Sequence, residues 1–245
     1  MLKYIISGLL TVTVITRAET VDDILDKMEA NEQAQTSRVE MTQITYKAGG
    51  EERTSKLVSY AMDKGDKGMM EYMSPARIKG MKVLMLNDGD DIWFYSARTA
   101  RVRKIASHQK NQSVNNSDFT YEDMSAADWR EDYTVKLAGE ETKDGITCFR
   151  IEMTPKEDDA TYSKVVFWVD KEKYTGVAGE FYDEDGELWK KLILKDVVKI
   201  GKYWTPKYIE MQNVQKESRT VMKMDKIEYD VKLDENLFSE RYLKK

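Results

Sequence analysis

The ten residues NNSDFTYEDM (115–124) gather two aromatics and three carboxylates directly after a basic stretch. Such a cluster suits a cation loop, a pair of catalytic acids, or a capped structural corner. The rest of the sequence bears on the first two. A triad hydrolase needs a histidine base, and His108, the one histidine, lies in the polar stretch KIASHQKNQS with no G-x-S-x-G elbow in the chain. A zinc site needs several His or Cys ligands, and only His108 and Cys148 exist. NDGDD (87–91) and DEDGE (183–187) look like calcium loops but miss the ligand spacing, because Phe181 would fill the first position of the second loop. Both read better as hairpin turns with glycine in the left-handed position. A glycosidase-type carboxylate pair stays open among 44 acidic residues, with nothing to single one out. No metal, cofactor or catalytic residue is therefore expected. Read locally, Ser117 or Thr120 caps a short helix over 121–127, with Glu122 and Asp123 at its favoured acidic end and Phe119 as a staple.

The elements around this corner are mainly strands. With 14 tyrosines, five tryptophans, only three prolines and many Val, Ile and Thr residues in alternating runs, the composition favours β-structure. One helix comes first: Thr20 can cap it, Asp23 sits at the capping-box position, and Val21, Ile24, Leu25 and Met28 recur at helical spacing. Strand periodicity follows over 38–47, 54–63 and 67–73, then over a hairpin at 81–96 closed at Asp88 and Gly89. Further strands are expected at 133–140, 146–155, 163–170, 176–183, 186–200, 207–214 and 219–231. Short turns between them make an antiparallel meander.

WFY (93–95), VVFWV (165–169) and LILKDVV (192–198) carry large apolar side chains on both strand faces. A half-solvated strand alternates, so both faces of these strands meet something apolar. Two arrangements satisfy this: helices on one face with a loop on the other, or a curved sheet around an apolar cavity open to a hydrophobic ligand. The 14 methionines suit an adaptable surface of that kind, although most fit a core equally well. In RTVMKMDKIEYDV (219–231), Met222 and Met224 share one parity while Ile227, Tyr229 and Val231 share the other. A bulge at Asp225 or Lys226 would produce this switch and bend the strand.

A chain of 245 residues with 41% hydrophobic content can bury one large core, and no Pro/Gly linker divides it. We expect one domain over 19–245. Residues 1–18 read as a signal peptide: Lys3 in a charged head, an apolar run from Tyr4 to Ile15, and a small-x-small cleavage site ending at Ala18. That run is too short for a membrane anchor, and no later stretch spans a membrane. Cys148 is the only cysteine, so no internal disulfide forms and no lipid-attachable cysteine stands at the cleavage site. It reads as a buried, inert residue between Ile146, Phe149 and Ile151, with a reactive thiol as the alternative. The formal charge of −5 becomes more negative when Lys3 and Arg17 leave, which makes nucleic acid and anionic membrane surfaces poor partners.

SPARIKG (74–80), DIWFYSARTARVRKI (91–105) and NSDFTYEDM (116–124), in this order, resemble the LolA-like outer membrane lipoprotein-sorting proteins, in an exported, uncharacterised branch of that family. Weaker similarity extends to NLFSERYL (236–243). Asn116 stands where that branch usually has Gly, and Ala97 where it usually has Pro; Asn tolerates the left-handed backbone a Gly would supply. The resemblance implies a mainly β (α+β) fold, a curved antiparallel half-barrel with helices as a lid over an apolar cavity, and no catalysis. It implies a monomeric periplasmic carrier of the acyl chains of lipoproteins or other lipids, working between an inner-membrane transporter and an outer-membrane acceptor. The alternative is a sensor or accessory subunit of a membrane transporter or signalling system with the same fold. The aromatics chosen for cavity or lid are Trp93, Tyr95, Phe119, Tyr121, Trp129, Phe167 and Trp168, and Arg101 and Arg103 are candidates to bond a head group at the mouth. For these two arginines the competing reading is a strand edge kept soluble by charge.

Overall fold

The computed structural model describes residues 19–32, 34–125, 129–157 and 160–245. The expected leader (1–18) and the last residues of the expected helix at 121–127 lie outside them. Among the described residues, thirteen strands form one open antiparallel sheet. Its first meander is β1 (Thr36–Tyr46), β2 (Glu52–Met62), β3 (Lys67–Ser74), β4 (Lys82–Leu86), β5 (Asp91–Ser96) and β6 (Arg101–Ile105). The second is β7 (Tyr133–Lys143), β8 (Ile146–Pro155), β9 (Lys164–Asp170), β10 (Gly176–Tyr182), β11 (Leu188–Ile200), β12 (Tyr203–Asn213) and β13 (Ser218–Tyr229). The order across the sheet is β6-β5-β4-β3-β2-β1-β13-β12-β11-β10-β9-β8-β7. This is the curved half-barrel expected from the sequence.

One consequence of that order decides where the site lies. β6 and β7 are successive in the chain yet form the two outer edges, while the two meanders join at the centre where β13 pairs with β1. The segment between β6 and β7 therefore has to pass from one edge to the other across the mouth of the half-barrel. That segment contains NNSDFTYEDM.

The turns and the bend follow local chemistry. Asn87, Asp88 and Gly89 take positive φ (55°, 55° and 97°) at the β4–β5 hairpin, and Gly186 (78°) turns β10 into β11, so both acidic loops are hairpin turns. Asp183 Oδ1 accepts the N–H groups of Asp185 (3.2 Å) and Glu187 (2.9 Å) in the second. Glu40 pairs with Lys226 and Met41 with Met224, which leaves Asp225 as the extra residue of a β-bulge, one of the two positions expected. Thr42 Oγ1 donates to its carboxylate at 2.7 Å. A second irregularity, between Phe181 and Tyr182, leaves Trp189 unpaired on β11 and lets it join the main core.

Three helices accompany the sheet among the described residues. α1 (Val21–Glu32) starts at the expected cap: Asp23 N–H donates to Thr20 Oγ1 (3.2 Å) and Thr20 N–H to Asp23 Oδ2 (2.9 Å). Ile24 and Leu25 are buried, and the helix packs on β12 and β7, bridging the concave face. α2 (Trp129–Asp132) is tied to it by Arg130, whose guanidinium donates to Asp26 (2.5 Å) and Glu29 (2.9 Å). α3 (Glu240–Leu243), with Phe238 before it, covers the convex side of β3, β4 and β5. No helix among the described residues is long and apolar enough to cross a membrane.

Apolar residues fill both faces of β5 and β9, but not of β11, where Leu192 and Leu194 join the concave core while Ile193 and Val197 join no core cluster and Val198 is exposed. The main core lies on the concave side and includes Met41, Leu57, Tyr72, Ile92, Ile151, Phe167, Phe181, Met211 and Met222. On the convex side Trp93 and Tyr95 pack with Met69, Leu84, Phe238 and Leu243, and Trp168 packs with Cys148, Val166, Val177 and Ala178. The two arrangements left open by the sequence coexist.

Candidate functional site

Cross-strand pairing places residues of one face in continuous rows. One row runs Arg53, Thr45, Thr220, Met211, Leu192, Gly179, Phe167, Ile151, Leu137, crossing nine strands from β2 to β7. The neighbouring row runs Ser55, Gln43, Met222, Ile209, Leu194. Both are polar on β2 and β1 and apolar from β12 onwards. The concave surface changes character at β13.

The crossing segment is fastened along that boundary. Ser218 Oγ donates to Asp118 Oδ1 (2.5 Å) and Thr220 Oγ1 to Asp118 Oδ2 (2.7 Å), while Asp118 N–H donates back to Thr220 Oγ1 (2.9 Å). Two residues on, Thr120 and Asp123 form a capping box: Thr120 N–H to Asp123 Oδ2 at 2.8 Å, Asp123 N–H to Thr120 Oγ1 at 3.2 Å. The expected helix here is a single 3-10 turn, Glu122–Met124, closed by the extended backbone of Ser125. The Asp123 carboxylate also serves tertiary structure: Tyr162 Oη donates to it, Lys190 Nζ donates to it at 2.7 Å, and the same ammonium reaches Tyr162 Oη at 2.9 Å. The Lys190 and Asp123 side chains are 1% and 4% exposed, so this is a buried ion pair. Burial pulls the Lys190 ammonium below its ordinary value, against the nearby carboxylate, and burial raises Tyr162 well above its own. The opening stretch is a corner, nailed to the sheet at two points.

The segment divides the concave face. Asn115 and Asn116, both left-handed (φ 50° and 57°), face the polar half, which fits Asn in the place of a Gly at 116. Phe119, Glu122, Asp123 and Met124 face an apolar cavity of about 350 Å³. Its floor is Leu192, Leu194, Ile209, Met211 and Met222, its side is Tyr133, Tyr162, Phe167 and Phe181, and Met28 of α1 and Trp129 of α2 close it from above. Trp129 lies 5.5 Å from Tyr133 and 6.4 Å from Phe181 between ring centroids, and Tyr162 lies 4.9 Å from Phe181. Two carboxyl groups interrupt this wall besides Asp123: Asp132 and Glu122. Burial raises the Glu122 carboxyl, and the Tyr133 hydroxyl is pushed up to about 12 by burial and then by the Glu122 charge.

Of the residues chosen from sequence, Phe119, Trp129 and Phe167 line this cavity. Tyr121 is buried in the main core beside it, where burial raises its hydroxyl and the Arg103 charge acts against that. Trp93, Tyr95 and Trp168 do not reach it: alternation puts them on the convex face, where Trp168 Nε1 donates to Glu141 and Lys143 Nζ lies 4.0 Å from its ring centroid. Arg103 lies 5.9 Å over Phe94 on the concave side of the edge strand β6, and Arg101 is exposed on the same strand. Lys190 and Tyr162 escaped the sequence reading. The signal for Lys190 was present, since it shares parity with Leu192 and Leu194 and so had to point inward.

Comparison with known proteins agrees with this architecture. A family model described as an uncharacterized protein matches residues 64–245. A DUF1329 family protein from Desulfovibrio piger is 30% identical, with a TM-score of 0.84 over 90% of this chain and 96% of that one. A domain from Vibrio parahaemolyticus assigned to the outer membrane lipoprotein-sorting proteins is 28% identical, with a TM-score of 0.85 over 91% and 97%. A LolA superfamily protein from Nitrosomonas europaea, 21% identical with a TM-score of 0.76 over 92% and 100%, shares the fold. No curated protein matches by sequence. The chain belongs to the DUF1329 family, and it shares its fold with the LolA superfamily and the outer membrane lipoprotein-sorting proteins.

Proposed function

We propose that this protein is a non-catalytic periplasmic carrier that holds acyl chains of lipoproteins or other lipids in the apolar cavity and delivers them towards the outer membrane. The observation that carries this reading is the cavity itself: methionine, leucine and aromatic side chains enclosed between the concave sheet, the crossing segment and two short helices. Burial of each methylene contributes about 0.8 kcal/mol. A run of about eight would contribute on the order of 6 kcal/mol before immobilisation costs, enough to carry an insoluble chain through water and still release it. Met28 and Trp129 sit on helices joined by surface ion pairs, which are individually weak and suit a lid that opens. Direction would come from an outer-membrane acceptor that binds the cargo more tightly than this chain does.

The test is mass spectrometry of organic extracts from the protein isolated without detergent from its native compartment. The expected result is a stoichiometric lipid or acylated peptide that is lost in a folded Trp129→Asp variant. A protein that arrives empty, and takes up no fluorescent fatty acid when offered one, would sink the carrier reading and favour a subunit that binds a membrane protein instead.

A further inference from the structure

The polar half of the concave face holds a second, larger cavity of about 570 Å³ with the opposite chemistry. Its floor is formed by the buried polar side chains of Gln43 and Thr45 on β1 and Ser55 on β2. Arg53, Arg77, Lys79 and Arg98 stand around it, and among the described residues no acidic side chain lines it. Arg53 is engaged by Glu51, through Nε at 2.7 Å and Nη2 at 3.0 Å. Arg77, Lys79 and Arg98 make no ion pair with any described carboxylate. Glu51, whose carboxyl is lowered chiefly by Arg53 and also by Arg77, is one carboxylate against four cations, so the concavity of this chain with net charge −5 keeps a local positive field against the sign of the molecule.

The backbone builds this concavity from three separate stretches. After β3, Pro75 O accepts the N–H groups of Ile78 (3.0 Å) and Lys79 (3.1 Å), and Gly80 N–H returns to Tyr72 O at 2.8 Å. Gly80 has φ +78°, and a Cβ there would lie 3.4 Å from Ala97 Cβ, so this turn packs against the turn after β5. Arg77 and Lys79 are thereby brought beside Arg98. Asn115 and Asn116 of the crossing segment close the third side, with Lys47 Nζ donating to Asn116 O at 2.8 Å. These stretches overlap SPARIKG, DIWFYSARTARVRKI and NSDFTYEDM, the pieces on which the sequence resemblance rests, and the apolar cavity uses only the last.

We propose that this cavity is an anion subsite that takes the phosphate group of the ligand. Gln43, on its floor, pairs across the sheet with Met222, which lines the apolar cavity, so the nearest lining residues of the two sites are one strand spacing apart, about 5 Å, on either side of the crossing segment. A phosphorylated amphiphile fits this juxtaposition, with its head among Arg77, Lys79 and Arg98 and its chains beyond the crossing segment. The amphiphile part rests on the carrier reading above; the anion subsite does not. Planar guanidinium groups suit phosphate oxygens; on the floor the Thr45 hydroxyl is taken up by Thr220 and Gln43 Oε1 by Tyr72, which leaves the Gln43 amide N–H groups and the Ser55 hydroxyl to bond the remaining oxygens.

The experiment is titration of the full chain with short-chain phosphatidic acid, phosphatidylcholine of the same chains, and inorganic phosphate, at matched ionic strength. It is repeated on the Arg77→Gln/Arg98→Gln double variant, whose two positions are exposed. Removing a charge-assisted hydrogen bond to phosphate lowers affinity by about tenfold or more. The wild type should prefer phosphatidic acid over phosphatidylcholine by at least about that factor. The double variant should lose most of this preference and bind phosphatidylcholine unchanged, and inorganic phosphate should compete with phosphatidic acid in the wild type alone. Equal binding of both lipids, or a preference untouched in the double variant, overturns the subsite and leaves the carrier reading standing. Binding of phosphate that the double variant loses, with no binding of either lipid, upholds the subsite as one for a free anion and removes the carrier reading.

Discussion

Gly179 stands directly opposite Phe167 across β9 and β10, and a Cβ built on it would come within 3.1 Å of both the Phe167 and the Phe181 rings. Gly176 is tighter still, at 2.8 Å from Phe167 Cζ. The Phe167 ring therefore lies over the bare backbone of β10, and the space it leaves is the aromatic side of the apolar cavity. Gly179→Val pushes both rings towards that space. We expect it to cost about 1–3 kcal/mol of stability through overpacking and to weaken uptake of a fluorescent fatty acid. Urea denaturation and a fatty-acid titration on the same protein check both; a destabilised variant with undiminished uptake would show that chains do not enter beside Phe167.

The Lys190–Asp123 pair gives a prediction in which the sign of a double substitution matters. Lys190→Met leaves the Asp123 carboxylate buried with one donor fewer, and we expect a loss of about 3–5 kcal/mol. Asp123→Asn keeps an acceptor for Thr120 N–H or Tyr162 Oη but strands the ammonium. The combined variant should cost less than the sum of the two by about 1–3 kcal/mol, because neither charge is then left alone. Additive losses in denaturation midpoints would mean that the pair is not formed.

Much of this architecture was legible in the sequence, and the residues that were not share a cause. Local signals worked where the decisive interaction is local: the Thr20–Asp23 box, the hairpin turns at Gly89 and Gly186, and the bulge at Asp225 follow from residues within a few positions of one another. Period two marks β5 and β9 correctly as strands with two apolar faces and fails for 192–198, where Val198 is exposed; it also carries no sign. It cannot tell which face of β5 or β9 is concave, so it selects Trp93 and Trp168 together with Phe167 although they lie on the convex side. Lys190 and Tyr162 were missed because their partner Asp123 lies 67 and 39 residues away in the chain. Their meeting depends on the placement of β6 and β7 at opposite edges, which is a property of the whole sheet.

Glu122 makes the stability dependent on pH. Burial in the cavity wall raises its carboxyl, with Asp132, Asp123 and Asp90 acting in the same direction and Lys110 against them. A carboxyl raised on folding favours the folded state most below its unfolded value, and that contribution disappears as pH rises through the folded value. Glu122→Gln removes the penalty for burying the charge. The variant should therefore have a higher urea midpoint than the parent at neutral pH and nearly the same midpoint at about pH 4, where the parent carboxyl is protonated. A gain of the same size at both values would locate the effect in packing and not in titration.

The two faces of the sheet respond differently to the loss of a tryptophan. Trp93 packs beneath the C-terminal segment with Met69, Leu84 and Phe238, whereas Trp129 hangs from α2 over the apolar cavity beside Tyr133 and Phe181. Both are large, partly buried and aromatic, so a general loss of core would treat them alike. Trp93→Ala should lower the melting temperature, at a cost of about 3 kcal/mol or more, and leave the fatty-acid affinity of the folded protein unchanged. Trp129→Ala, on a four-residue helix at the cavity roof, should cost less stability and weaken binding several-fold, mostly through faster release. Stopped-flow release of a fluorescent fatty acid from the parent and both variants separates the two effects. If Trp93→Ala accelerates release as much as Trp129→Ala does, the chains are not held on the concave side, and the cavity under α1 and α2 is a core defect with no cargo.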